Sequence, residues 1–292
     1  MELQWPLIIF TTLVAWSAGL FGAQAVMALR GAGKKAQLPA LICSVALLAV
    51  GGIAVFFHLE HWERIFNGFG HITSGITQEL IAIVVVVIVM VAYFVLLRKS
   101  DDGGTVPKWL AMVAIAMSVV LVAVMAHSYT MAARPAWDSL LWLAYVVGNA
   151  CVLGPATMSI IMVARGDDLA PVELPALAGA AANAVAAVAF AVFLQMSGSA
   201  FAQVGNYFDP TQPTKAMADA AGVIAGQAPL LWMGAVVVGA LVPLVAVFMA
   251  KRKGDASGWK LWGVAAIAAA LAGAVCLRVV FYERGMCVFI FS

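Results

Sequence analysis

The sequence predicts an all-α membrane protein, a bundle of eight transmembrane helices with both termini extracytoplasmic. Three observations predict it. Of 292 residues, 64% are hydrophobic and only 10% are charged, which leaves too little polar surface for a soluble domain. The apolar residues gather into eight runs, each close to or above the roughly 20 residues that cross a bilayer. The basic residues divide unequally between the two sets of connections, eleven against five, and the richer set belongs inside.

Taken in order, the first run, near 5–29, follows MELQWP with no basic leader and no small-residue cleavage site. It also outlasts a signal-peptide core, so it reads as a true span. RGAGKKAQLP leads to the second span, near 39–59. The third lies near 76–98, and KSDDGGTVPK separates it from the fourth, near 107–131. ARPAWDS precedes the fifth, near 138–164, and RGDDLAPVELP the sixth, near 172–196. A long connection, about 198–228, holds either a short amphipathic helix near Lys215–Ile224 or plain loop. The seventh span is expected near 229–250 and the eighth, after KRKGDASG, near 259–284. Gly, Pro, Asp and Ser in these connections supply the turn chemistry that ends one helix and starts the next. Spans six (PALAGAAANAVAAVAF) and eight (GVAAIAAALAGAVC) are rich in small residues that let helix backbones approach in lipid. The whole chain, 1–292, reads as one integral membrane domain without an internal repeat.

Several function classes fall away on composition. A net charge of +2 with scattered basic residues offers no nucleic-acid patch. The cysteines Cys43, Cys151, Cys276 and Cys287 lie in or beside apolar runs with no CxxC or CxxCH. They form no familiar iron–sulfur or c-type haem pattern, and are expected to be small buried hydrophobes. Trp5, Trp109, Trp137, Trp142, Trp232, Trp259 and Trp262 stand near span ends, where interfacial aromatics belong. Asn149 and Asn183 are the deepest uncharged polar groups and are expected to bond between helices. Glu79 and Arg278 are the only ionisable groups placed inside spans, both toward the outer side. A transporter for a charged substrate would instead place such groups at the midplane.

The stretch HLEHWERIFNGFGHITSGITQE, from His58 to Glu79, concentrates the remaining chemistry. It holds His58, His61 and His71 with Glu60, Glu63 and Arg64, and it ends on Glu79; the fourth histidine, His127, closes span four on the same side. A pocket of imidazole, carboxylate and guanidinium at the outer membrane edge suits oxidation of a lipid quinol. Such a substrate loses two electrons and two protons together, and imidazole, which titrates near neutrality, can accept a proton that a nearby Glu relays to water. His58, Glu79 and Arg64 are the candidates. The plainer reading of the same residues is a solvated helix end, with Glu60 and Arg64 paired at i, i+4. A zinc site from His58, His61 and Glu63, a single outer haem b between His58 and His127, and a carrier for a neutral substrate stay open beside it.

The run also resembles the membrane anchor subunit of the anaerobic dimethyl sulfoxide reductase family. The pattern of that family, His-Leu, then Arg-x-Phe-Asn, then a Ser-rich stretch ending in Glu, is met by His58, Leu59, Arg64, Phe66, Asn67 and Glu79. Trp5–Thr11, Tyr129 with Pro135-Ala136-Trp137, and Arg278–Tyr282 with Met286 are similar in the same order. Glu60-His61-Trp62 replaces the usual Gly-Ser-Pro, and the arginine expected just before the tyrosine is replaced, with His127 close by. The resemblance implies a subunit of the cell (inner) membrane that oxidises menaquinol, carries no haem itself, and passes electrons to a four-cluster iron–sulfur subunit. That partner in turn feeds a molybdopterin catalytic subunit. The resemblance also assigns Tyr129 to the quinol site, beside His58, Arg64 and Glu79.

Overall fold

The computed structural model describes residues 4–58, 71–132, 134–197 and 220–285, with side chains of the last stretch described from Ala225. Among these residues all regular structure is helical, and eight helices are long and apolar enough to span a membrane. They are α1 (Trp5–Leu29), α2 (Gln37–Phe56), α3 (Gly75–Lys99), α4 (Lys108–His127), α5 (Leu140–Arg165) and α6 (Ala170–Met196). The seventh, α7, runs through Ala220–Pro229, Leu230–Leu241 and Val242–Lys253, and α8 is Ala256–Glu283. The short helix expected near Lys215–Ile224 falls partly outside the described residues, and from Ala220 the chain is already α7.

Helix α5 is the axis of the bundle, packed by α1, α4, α6 and α8. Small residues make this possible. A methyl group on Gly154 of α5 would collide with the backbone of Gly19 in α1, and one on Gly179 of α6 with the carbonyl of Cys151. In lipid, where burial of apolar surface gives no net gain, such backbone contact supplies dispersion energy instead. Helices α2 and α3 are the outliers. The first leans on α1 and the second on α4, while they barely touch each other. Ile42, Ile53, Ile88 and Val91 on these two helices are exposed, as side chains facing lipid are.

Two polar ties between helices bear on the site end and the proline-bearing helix. Pro243 in α7 has no N–H for the carbonyl of Gly239 four residues back, and Asn183 Nδ2 of α6 donates to that oxygen at 3.1 Å. The preceding stretch, Leu230–Leu241, is wound as a wide π-helix. Arg278, 0% exposed, ties three helices together. Its Nε donates to Thr11 Oγ1 (2.9 Å) and its other nitrogens to Thr11 O (3.2 Å), Asn149 Oδ1 (3.4 Å) and Ala274 O (3.3 Å). The two asparagines therefore bond between helices as expected.

Two sequence expectations need correction. Trp5 and Trp109 are exposed, but Trp142 and Trp259 are fully buried and Trp137 nearly so. Nearness to a helix end does not fix which way a ring is rotated, and these three pack inward. Trp142 stacks on Phe281 with ring centroids 3.8 Å apart. Cys43, Cys151 and Cys276 are partly exposed rather than buried, and Cys287 lies outside the described residues.

One end of the bundle collects the basic connections. Lys34 Nζ bonds Asp102 at 2.8 Å, joining the turn after α1 to the one after α3. The Lys34 ammonium and the Gly104 N–H hold the Asp102 carboxyl well below the usual carboxylate range. Asp167, past α5, accepts from Ala36 N at 2.9 Å, and Arg30 donates to Pro171 O at 2.7 Å. Exposed bonds of this kind contribute little stability; they place three connections side by side. His58, His71 and His127 lie at the opposite end.

Candidate functional site

At that opposite end the last turn of α2, the first turns of α3 and the turn after α4 converge on one cavity of about 460 Å³, within the range of small-molecule sites (about 300–1,000 Å³). His58 reaches it because α2 stops at Phe56 and the chain makes one more turn, with His58 N–H donating to Val55 O at 3.0 Å. The His58 side chain is exposed and forms part of the cavity wall. Helix α3 starts after Ser74, whose extended backbone ends the preceding turn. Gly75 permits a close approach there, since a Cβ would stand 2.8 Å from Cβ of Ser128. That approach puts Glu79, one turn on and only 8% exposed, against the end of α4.

The contact made there has a definite chemical meaning. Ser128 Oγ lies in hydrogen-bond contact with Glu79 Oε1 and is also 2.8 Å from Met125 O. A hydroxyl has one proton to donate. When Glu79 is ionised, Ser128 donates to it; when Glu79 is protonated, it can donate to Ser128, whose own proton then goes to Met125 O. Both protonation states of the carboxyl keep a partner, a property suited to a group that takes up and releases a proton.

Tyr129 follows Ser128. The fourth span was expected to run to about 131, but α4 ends at His127, so Tyr129 lies in the turn and faces an aromatic wall. Its ring stands edge-on to Trp137, Phe281 and Tyr282, with centroids 5.9, 6.2 and 5.7 Å away. Trp137 Nε1 donates to Phe281 O at 2.7 Å, which fastens the turn before α5 to α8. Arg134 lies over the Trp137 ring at 4.3 Å. Tyr282, almost fully buried, also lines the cavity beside Tyr129.

Three of the sequence-derived candidates, His58, Glu79 and Tyr129, thus share one cavity wall. The fourth, Arg64, lies outside the described residues, as do Glu60, His61 and Glu63. His127 is exposed and pairs through Nδ1 with Thr130 Oγ1 at 3.1 Å. Among the described residues no group of three or more His, Cys, Asp or Glu is placed to hold a metal ion. Sequence reading missed Ser128 and Arg134, and took Tyr282 only as part of a family-like segment. Ser128 had no signal of its own, because its role depends on where α4 ends. Arg134 was legible only as one of the few cations on this side.

Fold and cavity together define a class, a polytopic helical membrane protein with a mostly apolar cavity, set with a few titratable side chains, at one end of its bundle. The family is narrower. The chain matches the family model described as "DMSO reductase anchor subunit (DmsC)" over residues 1–284. It belongs to that family, and the resemblance carried by the His58–Glu79 segment extends over essentially the whole chain. No curated protein matches it.

Proposed function

We propose that this anchor subunit oxidises menaquinol in the cavity bounded by His58, Glu79 and Tyr129, with Arg64 as a further contributor. The observation that carries the reading is the convergence of those three residues on one cavity, where Glu79 keeps a partner in either protonation state. Quinol oxidation breaks two O–H bonds, forms two C=O bonds and releases two electrons. His58 and Glu79 accept the protons and pass them to water at the same end of the bundle. The Tyr129 and Tyr282 hydroxyls orient the ring oxygens, and Trp137, backed by Phe281, packs against the ring.

The electrons leave for an iron–sulfur subunit docked on the same end, which carries four clusters and delivers them to a molybdopterin catalytic subunit. The chain has no haem role in this scheme. It sits in the inner membrane with both termini outside, the orientation that the basic connections at the other end support. Protons are then released on the side where the quinol binds, so this subunit separates little charge.

The test uses membranes carrying the assembled complex. His58→Ala should abolish menaquinol oxidation while reduction of the terminal substrate by a soluble viologen dye, which bypasses the quinol, stays intact. Normal menaquinol turnover in that variant rejects the site. Purification should bring down iron–sulfur and molybdenum subunits, and a preparation of this chain alone would favour a carrier instead. A Soret band in the isolated subunit would favour a haem-b carrier.

A further inference from the structure

The sparse contact between α2 and α3 leaves a furrow, and the furrow does not end blindly. Its volume is about 760 Å³ and every one of its wall residues is apolar, from Leu41 and Ile42 to Phe56 on α2 and from Ile83 to Phe94 on α3. Gly52, Phe56 and Ile83 belong to both the furrow and the cavity that holds His58 and Glu79. From Ile42 to Phe56 the groove follows α2 for about 21 Å at 1.5 Å per residue, most of the way across the hydrocarbon layer.

We infer that this furrow receives the polyprenyl tail of the quinol and is the lateral route by which the ring reaches the cavity. The inference rests on the proposed quinol site and deepens it, because it specifies a long-chain substrate and the helix pair that admits it. Three features select this occupant over a phospholipid chain. The furrow is continuous with a cavity at its outer end, whereas a phospholipid would have to place a phosphate there. The cavity holds the carboxylate of Glu79 beside neutral hydroxyls, and its one described guanidinium, Arg134, is stacked on Trp137. That lining fits a neutral, hydroxyl-bearing ring. Gly52 stands at the junction of furrow and cavity, where a side chain would meet nothing within 4 Å, so the way between the two is open.

Lipid tails are as apolar as the furrow, so the tail gains packing contacts there and little hydrophobic energy. The furrow therefore guides the substrate more than it grips it, and its effect shows when it is filled. Ala49 is exposed and belongs to the furrow wall only, so Ala49→Phe narrows the groove without touching the cavity.

The experiment compares menaquinol bearing its long tail with the tail-less naphthoquinol menadiol, in membranes carrying the assembled complex. In Ala49→Phe the KM for the long-chain quinol should rise about tenfold, the effect of overpacking one side chain. Menadiol oxidation and dye-driven turnover should be unchanged. If Ala49→Phe fails to accumulate, Val91→Phe on the opposite wall carries the same test. Equal KM values for the long-chain quinol in variant and wild type, or equal losses for both quinols, overturn the furrow and leave the cavity standing. Unaltered oxidation of both quinols by His58→Ala overturns the cavity itself, and the furrow with it.

Discussion

Removing the acceptors around Arg278 should damage the bundle more than removing Arg278 itself. The guanidinium is fully buried and makes three bonds to other helices, two to Thr11 of α1 and one to Asn149 of α5, besides one to its own helix at Ala274. In membranes such bonds average about 0.6 kcal/mol, so deleting all three with Arg278→Met costs roughly 2 kcal/mol. Part of that is recovered because a buried charge is replaced by an apolar chain of similar length. Thr11 Oγ1 meanwhile keeps its bond to Leu7 O at 2.8 Å, and the side-chain acceptor left bare is Asn149 Oδ1. The double variant Thr11→Val with Asn149→Leu acts differently, because it keeps the charge and removes two of its side-chain acceptors, leaving the Tyr145 hydroxyl and two carbonyls. Stranding a buried charge costs about 3–5 kcal/mol. Thermal unfolding in detergent reads the difference at roughly 2 °C per kcal/mol. Trp142, whose ring centre is 5.9 Å from the guanidinium, offers a fluorescence signal at the site of the change. Adding Arg278→Met to the double variant should restore most of the loss. An Arg278→Met protein less stable than the acceptor double variant would refute the reasoning.

Further outcomes follow from other contacts. Glu79→Gln keeps the size of the side chain and its bond with Ser128 but cannot take a proton, so kcat for menaquinol should fall about 10²–10⁴-fold with KM nearly unchanged. Ser128→Ala, which removes only the hydroxyl that serves both protonation states, should give a smaller fall and a shifted pH profile; steady-state kinetics in membranes checks both. Gly154→Val, forced against the Gly19 backbone, should cost about 1–3 kcal/mol or more and reduce the amount of assembled subunit. Gly226→Ala, where a methyl group meets open space, should not. Asp255 caps α8 by accepting from Gly258 N at 2.7 Å, and that bond holds its carboxyl below the ordinary aspartate range. Its folded pKa is depressed, so its stabilisation is present above the unfolded value and is lost as pH falls through the folded one. Asp255→Ala should therefore melt below wild type at neutral pH, and the gap should close in strong acid. A gap that widens there contradicts the cap.

The spans were legible because a bilayer sets a minimum apolar length, and α1 begins and ends where that rule puts it. Ends were less legible where the chemistry is mixed. Ser128, Tyr129 and Thr130 continue the apolar run closely enough to pass for helix, yet Thr130 N–H turns back to His127 O at 3.0 Å and the helix is over. At the start of α7, the small residues and Gln227 before Pro229 read as connection although the chain is already helical from Ala220. Rotation about a helix axis was not legible at all, and so Trp142 and Trp259 passed for interfacial residues. The cavity was half legible. His58 and Glu79 stood out as titratable groups in an apolar chain, while Ser128 matters only because Gly75 lets α3 approach it, a fact of packing that no local pattern records.

The bond from Asn183 to the Gly239 carbonyl carries a consequence for how this sequence can vary. Proline at 243 creates a vacancy on its own helix, and an amide on a neighbouring helix answers it. Neither position is free on its own. Asn183→Ala should be costly beside Pro243 and nearly harmless beside an alanine there, whose N–H would answer the same oxygen. Two sites sixty residues apart thus behave as a single inherited character.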